Sequence, residues 1–225
     1  MIHGDYRLPD LARPFARTNA QTIAQRVALL RELLPGARAI GELCCGDCRA
    51  QSAIYRHELA VERYHGLDIH PGIVAQNRAQ GVDCALGDAL DANALQPFLA
   101  DDVLFFGPPL STNCDGHNLL SFREITPAYA DLVTLLFGRL GYDGTLICIG
   151  PRVTTPGDAQ WLHATGVAAN PAVGLRLTHH SYATLTGAGE RHEPRLKYVE
   201  LWLSTRLPDL WEMRQSRPDE RPIGE

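Results

Sequence analysis

Between residues 37 and 150, short apolar runs alternate with stretches of helical periodicity, and this alternation constrains the fold more than any other feature of the chain. "ARAIGELC" (37–44), "RYHGLDI" (63–69), "VDCALGD" (82–88), "DDVLFFG" (101–107) and "GTLICIG" (144–150) are short and rich in β-formers, so each predicts a strand. "RAQSAIYRHEL" (49–59), "PGIVAQNRAQ" (71–80, with Pro71 in its first turn) and "ITPAYADLVTLLFGRL" (125–140) predict helices. Upstream, Ile23, Val27, Leu30 and Leu34 share one helical face; Thr18 or Asn19 can cap that helix and Pro35–Gly36 ends it. Strands separated by helical crossovers of this length form a mainly parallel sheet.

The last third changes character. "VGLRLTHHSYATL" (173–185) and "LKYVELWLS" (196–204) are both rich in β-formers, and the intervening "TGAGERHEP" is too short for a crossover helix. Two strands joined that way pair antiparallel. The expected architecture is therefore α/β: a three-layer Rossmann-like sandwich, with a mainly parallel seven-stranded sheet that ends in an antiparallel C-terminal hairpin. At 225 residues the chain holds one sizeable core. Its predicted parts are an N-terminal arm (1–17), the sheet domain (18–204) and a polar, proline-containing extension (205–225), in which Leu210, Trp211 and Met213 are available to dock on the body or on a partner.

A formal net charge of -5 supplies no field that gathers polyanions, which argues against long duplex DNA as a partner. Residues 1–40 are locally basic, with Arg7, Arg13, Arg17, Arg26, Arg31 and Arg38 against Asp5, Asp10 and Glu32. They read either as an anion-binding arm, which keeps RNA open, or as a solvated helix face. No run resembles a signal peptide or reaches the ~20 apolar residues of a membrane span. The expectation is a cytoplasmic protein with reduced thiols.

Ligands of parallel sheets bind beyond the carboxyl ends of the strands. The loop that ends the first strand, "ELCCGDC", carries Gly46 among Cys44, Cys45 and Cys48, and leads into a helix whose first N–H groups are unpaired. The second strand ends at Asp68, a carboxylate able to accept two hydrogen bonds from a ribose diol. The third leads to Asp88, and the fourth to the stiff loop Gly107–Pro108–Pro109–Leu110.

This order of Glu42…Gly46, Asp68, Asp88 and "GPPL", followed by a terminal antiparallel hairpin, resembles the class I S-adenosylmethionine-dependent methyltransferases over roughly residues 37–204. "ELCCGDC" is similar to the E-x-x-C-G-x-G loop of the amino-methyltransferase group and "GPPL" to its [N/D/S]-P-P-[Y/F] loop. The resemblance implies S-adenosyl-L-methionine as cofactor, with Glu42, Cys44, Cys45 and Gly46 around its methionine part, Asp68 on the ribose hydroxyls, Ile69 against the adenine, and Asp88 and Ala89 at the adenine edge. It implies a catalytic loop of Gly107, Pro108, Pro109 and Leu110, in which a backbone carbonyl steers an acceptor NH₂ toward the methyl group. The chain departs from the pattern at Cys48 (glycine in the family), Gly107 (polar) and Leu110 (aromatic). The acceptor is a nitrogen of unknown origin, in a small molecule, a protein amide or a structured RNA.

Other readings stay open at this level. Cys45-x-x-Cys48 and Cys114-x-x-His117 have zinc-ligand spacing, although simple packing thiols account for the same residues. An NAD-dependent oxidoreductase fits the strand–turn–helix plus Asp68 but lacks G-x-G-x-x-G. The same fold can also serve as a non-catalytic cofactor- or RNA-binding module. Tyr129 and Phe122 are candidates for a substrate wall or for helix core, and none of His163, His179, His180 and His192 stands out as a base. The segment 111–124 is long enough to act as a lid.

Overall fold

The computed structural model describes residues 26–107, 122–150, 156–182, 196–206 and 213–215. Helix α1 runs through residues 26–33. It is followed by β1 (Ala39–Leu43), α2 (Arg49–Leu59), β2 (Arg63–Asp68), α3 (Pro71–Ala79), β3 (Asp83–Leu86) and a short α4 (Ala92–Leu95). Then come β4 (Val103–Phe106), α5 (Phe122–Val133) continued as a π-helical turn (Thr134–Arg139), β5 (Thr145–Gly150), α6 (Pro156–Ala169), β6 (Gly174–Tyr182), β7 (Leu196–Ser204) and β8 (Met213–Gln215).

The strands form one sheet in the order β3-β2-β1-β4-β5-β7-β6-β8. β3, β2, β1, β4 and β5 are mutually parallel, and β7 lies antiparallel between β5 and β6. The expected α/β sheet with an antiparallel hairpin is thus present in β1 to β7. The hairpin pairs Gly174 with Ser204 through to Tyr182 with Leu196. The C-terminal extension adds an eighth strand, with Met213 pairing in parallel with Leu177 of β6.

Strand alternation sends side chains to two separate cores, which is why the central strands read as continuous apolar runs. Ile40, Tyr64, Val103, Phe105, Ile147 and Trp202 pack with Val27 and Leu30 of α1, Tyr55 of α2 and Val74 of α3. Leu43, Leu67, Leu104, Phe106, Leu146 and Leu203 pack on the other face with Tyr129, Leu132 and Leu136, and with Leu162 of α6.

The first core encloses charge. Arg26 donates through Nε to Glu200, its guanidinium lies 5.2 Å above the Phe105 ring, and Trp202 Nε1 donates to the second Glu200 oxygen at 3.3 Å. Burial opposes the Arg26 charge, but the Glu200 carboxylate outweighs it and holds the guanidinium above its ordinary range. Arg31 pairs with Glu58 and Arg38 with Glu62. Each described arginine of the basic N-terminal stretch therefore already has a carboxylate partner. Arg7, Arg13 and Arg17 lie outside the described residues.

One sequence expectation needs adjustment, and one helix is unexpected. The helix expected over 125–140 begins at Phe122 and ends in the π turn, with Leu140 N–H reaching Leu135 carbonyl and Tyr142 N–H reaching Leu136 carbonyl. α6 is not signalled by periodicity: Leu162 is its buried leucine, while Trp161 and Val167 are exposed and the rest of the segment is small or polar. No described helix is long and apolar enough to cross a membrane.

Candidate cofactor site

Because β3, β2, β1 and β4 are adjacent and parallel, the loops that follow them converge at one edge. Leu43 is in register with Leu67 and with Phe106, so Cys44 and Gly107 each stand one residue beyond neighbouring strand ends. Asp68 is in register with Leu86, which places Gly87 and Asp88 just past it.

The loop after β1 is a built structure. Cys44 has φ 58° and Gly46 φ 54°, so two left-handed residues turn the chain between strand and helix. Glycine adopts this conformation freely, whereas Cys44 carries a cost of about 1 kcal/mol. The turn aims Gly46 N–H at Asp68 Oδ2 (2.9 Å), and the other oxygen, Oδ1, accepts from His70 N–H (2.8 Å). Asp68 is therefore fixed by two backbone donors. Each of its oxygens retains further acceptor capacity.

Asn77, fully buried on α3, ties the loop from beneath. Its Nδ2 donates to Gly46 carbonyl at 2.8 Å, and its Oδ1 lies 3.4 Å from Cys48 N–H, which donates to it. Sequence reasoning passed over this residue, because an asparagine within a helical run has the look of a solvated face.

Of the expected cofactor contacts, the structure brings Cys44, Gly46, Asp68 and Asp88 together. The Cys44 thiol is pushed up to about 12, first by burial and then by the charges of Asp68 and Asp88. Ile69 is 59 % exposed beside them, and Leu86 and Leu90 add apolar surface at 56 % and 40 % exposure. Gly107 is half-buried, with room for a side chain, since a Cβ there would meet Ile149 at 3.5 Å. Pro108, Pro109 and Leu110 lie outside the described residues, as do Cys114, His117 and segment 111–121.

Three expected residues turn their side chains elsewhere. Glu42 faces the α1–α3 core and accepts from Tyr64 O–H at 2.5 Å; burial raises its carboxyl, against the opposing effects of Tyr64 and Arg26. Cys45 is buried against Cys84, Sγ to Sγ 3.6 Å. Ala89 is buried in the α4–α6 core. Tyr129, weighed as a substrate wall, is core: it meets Phe106 edge-on at 5.3 Å and donates to Ile149 carbonyl. The side chain of Phe122 lies outside the described residues. Among the described residues no group of His, Cys, Asp and Glu side chains could hold a metal ion.

The electrostatics of the crevice are one-sided. Asp68 and Asp88 line it, and among the described residues no cation pairs with either. Arg49, at the start of α2, is tied bidentately to Asp47 at 2.8 and 2.5 Å.

Known folds agree with the topology. The chain superposes with a TM-score of 0.55 on the methyltransferase domain of a bacterial Hen1 protein (CtHen1-C), at 12 % identity over 83 % of this chain and 98 % of that one. The fold is that of the class I S-adenosylmethionine-dependent methyltransferases. Precorrin-6y C5,15-methyltransferase from Geobacter metallireducens matches with a TM-score of 0.52 at 15 % identity, over 82 % of this chain and 87 % of the other. The plantazolicin methyltransferase BamL, solved with a triazolic desmethylPZN analogue and SAH, matches with a TM-score of 0.52 at 8 % identity, over 87 % of this chain and 91 % of the other. No family model and no curated protein sequence matches the chain. At these identities the likeness is one of fold.

Proposed function

We propose that this protein is an S-adenosylmethionine-dependent methyltransferase that acts on a nitrogen acceptor. The observation that carries the reading is the Asp68 carboxylate, held at the tip of β2 by the N–H groups of Gly46 and His70 and joined by Asp88 in a crevice without a described paired cation. Asp68 would accept from both ribose hydroxyls. Ile69, Leu86 and Leu90 offer the exposed apolar surface that a purine covers. The two carboxylates favour a sulfonium and an ammonium in a partly desolvated site. BamL was solved with SAH, which supports the same cofactor here.

The cofactor supplies an electrophilic methyl group. What the chain must supply is position, and in-line alignment at near-contact distance accounts for much of such an acceleration. Gly107, one residue beyond β4 and beside Cys44, starts the loop Gly107–Leu110, to which we assign the orientation of the acceptor nitrogen. Gly107 brings no side-chain acceptor, so alignment falls to backbone carbonyls. Glu42 stays beneath the loop as a support linked to Tyr64, and Cys45 and Ala89 contribute only backbone at the site.

Calorimetric titration of the full chain with S-adenosylmethionine, and separately with NAD, tests the cofactor. Micromolar heat with the first and none with the second supports the reading, and the reverse overturns it. Transfer of labelled methyl to amine-, amide- or RNA-containing acceptors then separates an enzyme from a binding module, which would hold the cofactor without turnover.

A further inference from the structure

Three thiols gather under the cofactor loop from two distant parts of the chain. Cys45 and Cys48 come from the loop itself and Cys84 from β3, two strands away. Gly66 of β2 lies between them, in register with Glu42 on one side and Cys84 on the other. A Cβ at Gly66 would stand 2.6 Å from Cys45 Sγ and 3.4 Å from Cys48 Sγ. The missing side chain is what lets Cys45 fold across β2 until its sulfur is 3.6 Å from that of Cys84. Asn77 Nδ2 lies 3.7 Å from each of these two sulfurs while bonded to Gly46 carbonyl. The pair thus shares its hydrogen-bond partner with the loop that holds Asp68.

We infer that Cys45 and Cys84 are a disulfide-forming pair whose oxidation alters the cofactor loop. Sulfurs in contact need to close by roughly 1.5 Å to reach the bonded distance of about 2.05 Å. Cys45 and Cys84 are in hydrogen-bond contact; contact with Cys48 first and Cys84 next raises the Cys45 thiol, while contact with Cys45 and then Asn77 lowers that of Cys84. With Cys84 as the nucleophile, the Cys45 thiol resolves the intermediate. The Cys84 thiolate attacks hydrogen peroxide, the O–O bond breaks, and hydroxide leaves and takes up a proton as water. Cys45 sulfur then attacks the Cys84 sulfenic acid, the S–O bond breaks, and the departing hydroxide takes the Cys45 proton as a second water. Two thiols lose two electrons and one peroxide gains them. Cys44 and Gly46 are half-exposed, so the pair lies one residue below solvent.

The link draws Cys45 toward β3, and the next residue is Gly46, whose N–H and carbonyl are bound to Asp68 and Asn77. Crosslinking displaces that peptide and loosens the grip on the ligand. The effect on affinity rests on the cofactor reading above, but the crosslink does not.

The test treats the full-length protein with hydrogen peroxide, blocks remaining thiols with an alkylating agent, and maps peptides by mass. The expected result is a Cys45–Cys84 link. S-adenosylmethionine affinity should fall at least tenfold, recover with dithiothreitol, and be insensitive to peroxide in Cys84→Ser. Intact thiols, or a Cys45–Cys48 link instead, overturns the pairing, and a Cys45–Cys84 link with unchanged affinity overturns the coupling. If the reduced protein does not bind S-adenosylmethionine at all, the function reading fails while the peptide map of the parent still decides the pairing. That map also stands if Cys84→Ser does not fold.

Discussion

At the amino ends of the strands, the Asp101 carboxylate is fully buried and takes hydrogen bonds from Arg63 at 3.1 and 2.6 Å and from His65 Nε2 at 2.5 Å. Its neighbour Asp102 accepts from Arg206 Nη1 at 2.7 Å and from the N–H groups of Arg38 and Ala39. At the carboxyl ends, Asp68 is held by two backbone N–H groups and by no described cation. Side-chain cations that neutralise a carboxylate also consume its lone pairs, while backbone donors fix its direction and leave acceptor sites for a ligand. One end of the sheet is stapled. The other is preorganised with binding capacity in reserve.

The largest expected effect separates those roles. Asp68→Ala removes a charged acceptor of two ribose hydroxyls and should weaken S-adenosylmethionine binding about 100-fold, close to 3 kcal/mol. Asp101→Asn should leave that affinity within about twofold but cost roughly 2–3 kcal/mol in urea unfolding, because Arg63 loses its buried countercharge and His65 a carboxylate acceptor. Calorimetry and denaturation of both variants check the contrast. An affinity loss in Asp101→Asn equal to that in Asp68→Ala would erase the distinction between the ends.

Asn77→Ala lies next in size. It strands Gly46 carbonyl and Cys48 N–H, which should cost about 1–2 kcal/mol of stability and weaken the cofactor roughly tenfold. Loss of stability with unchanged affinity would show that the loop holds its shape without α3.

Carboxylates can also be compared through pH. Burial raises Glu42 in the folded protein, so its contribution is greatest below the ordinary glutamate value of 4.5 and declines as pH rises above it. Burial opposes ionisation of Asp102 as well, but the bonds from Arg206, Arg38 and Ala39 prevail and its net shift is downward. Its contribution is complete above the ordinary value of 3.8 and is lost as pH falls toward the lower folded value. Glu42→Gln should therefore gain stability relative to the parent as pH rises from 4 to 7. Asp102→Asn should lose least at the acid end. Urea midpoints across that range give the first sign, and midpoints below pH 3.8 give the second.

The alternation of runs made the parallel sheet and its hairpin legible, because both faces of each central strand are covered and each strand reads as an apolar block. α2 was legible at both ends, Arg49 and Leu59, since a turn precedes it and the apolar pattern stops. Asp68 could be placed at a strand tip. Its dependence on Asn77 could not, since burial of a helical asparagine is decided by a loop 31 residues away. The turn of Glu42 toward Tyr64 was hidden for a related reason: alternation fixes which face a strand residue takes, but not which face carries the ligand. The pairing of Cys45 with Cys84 depends on Gly66 in a third strand, and β8 on three residues too few to show periodicity.

The smallest effect uses a symmetry in the backbone. Two described non-glycine residues have left-handed φ, and each lies at an opposite end of the sheet: Cys44 at 58° and Ala60, the cap of α2, at 50°. Either costs about 1 kcal/mol relative to glycine, less the extra freedom that glycine gains in the unfolded chain. Ala60→Gly should raise stability by up to about 1 kcal/mol and leave cofactor affinity alone, since glycine is the usual residue at such a helix end. Cys44→Gly relieves a similar strain but forfeits the packing of the thiol and lets the turn before Gly46 sample other shapes. Its stability gain should be smaller, and S-adenosylmethionine binding should weaken severalfold, because a preorganised loop has been loosened. Equal behaviour of the two variants in both measurements would mean that the strain at Cys44 is incidental. A divergence in affinity alone would mean that it helps hold the loop in its binding shape.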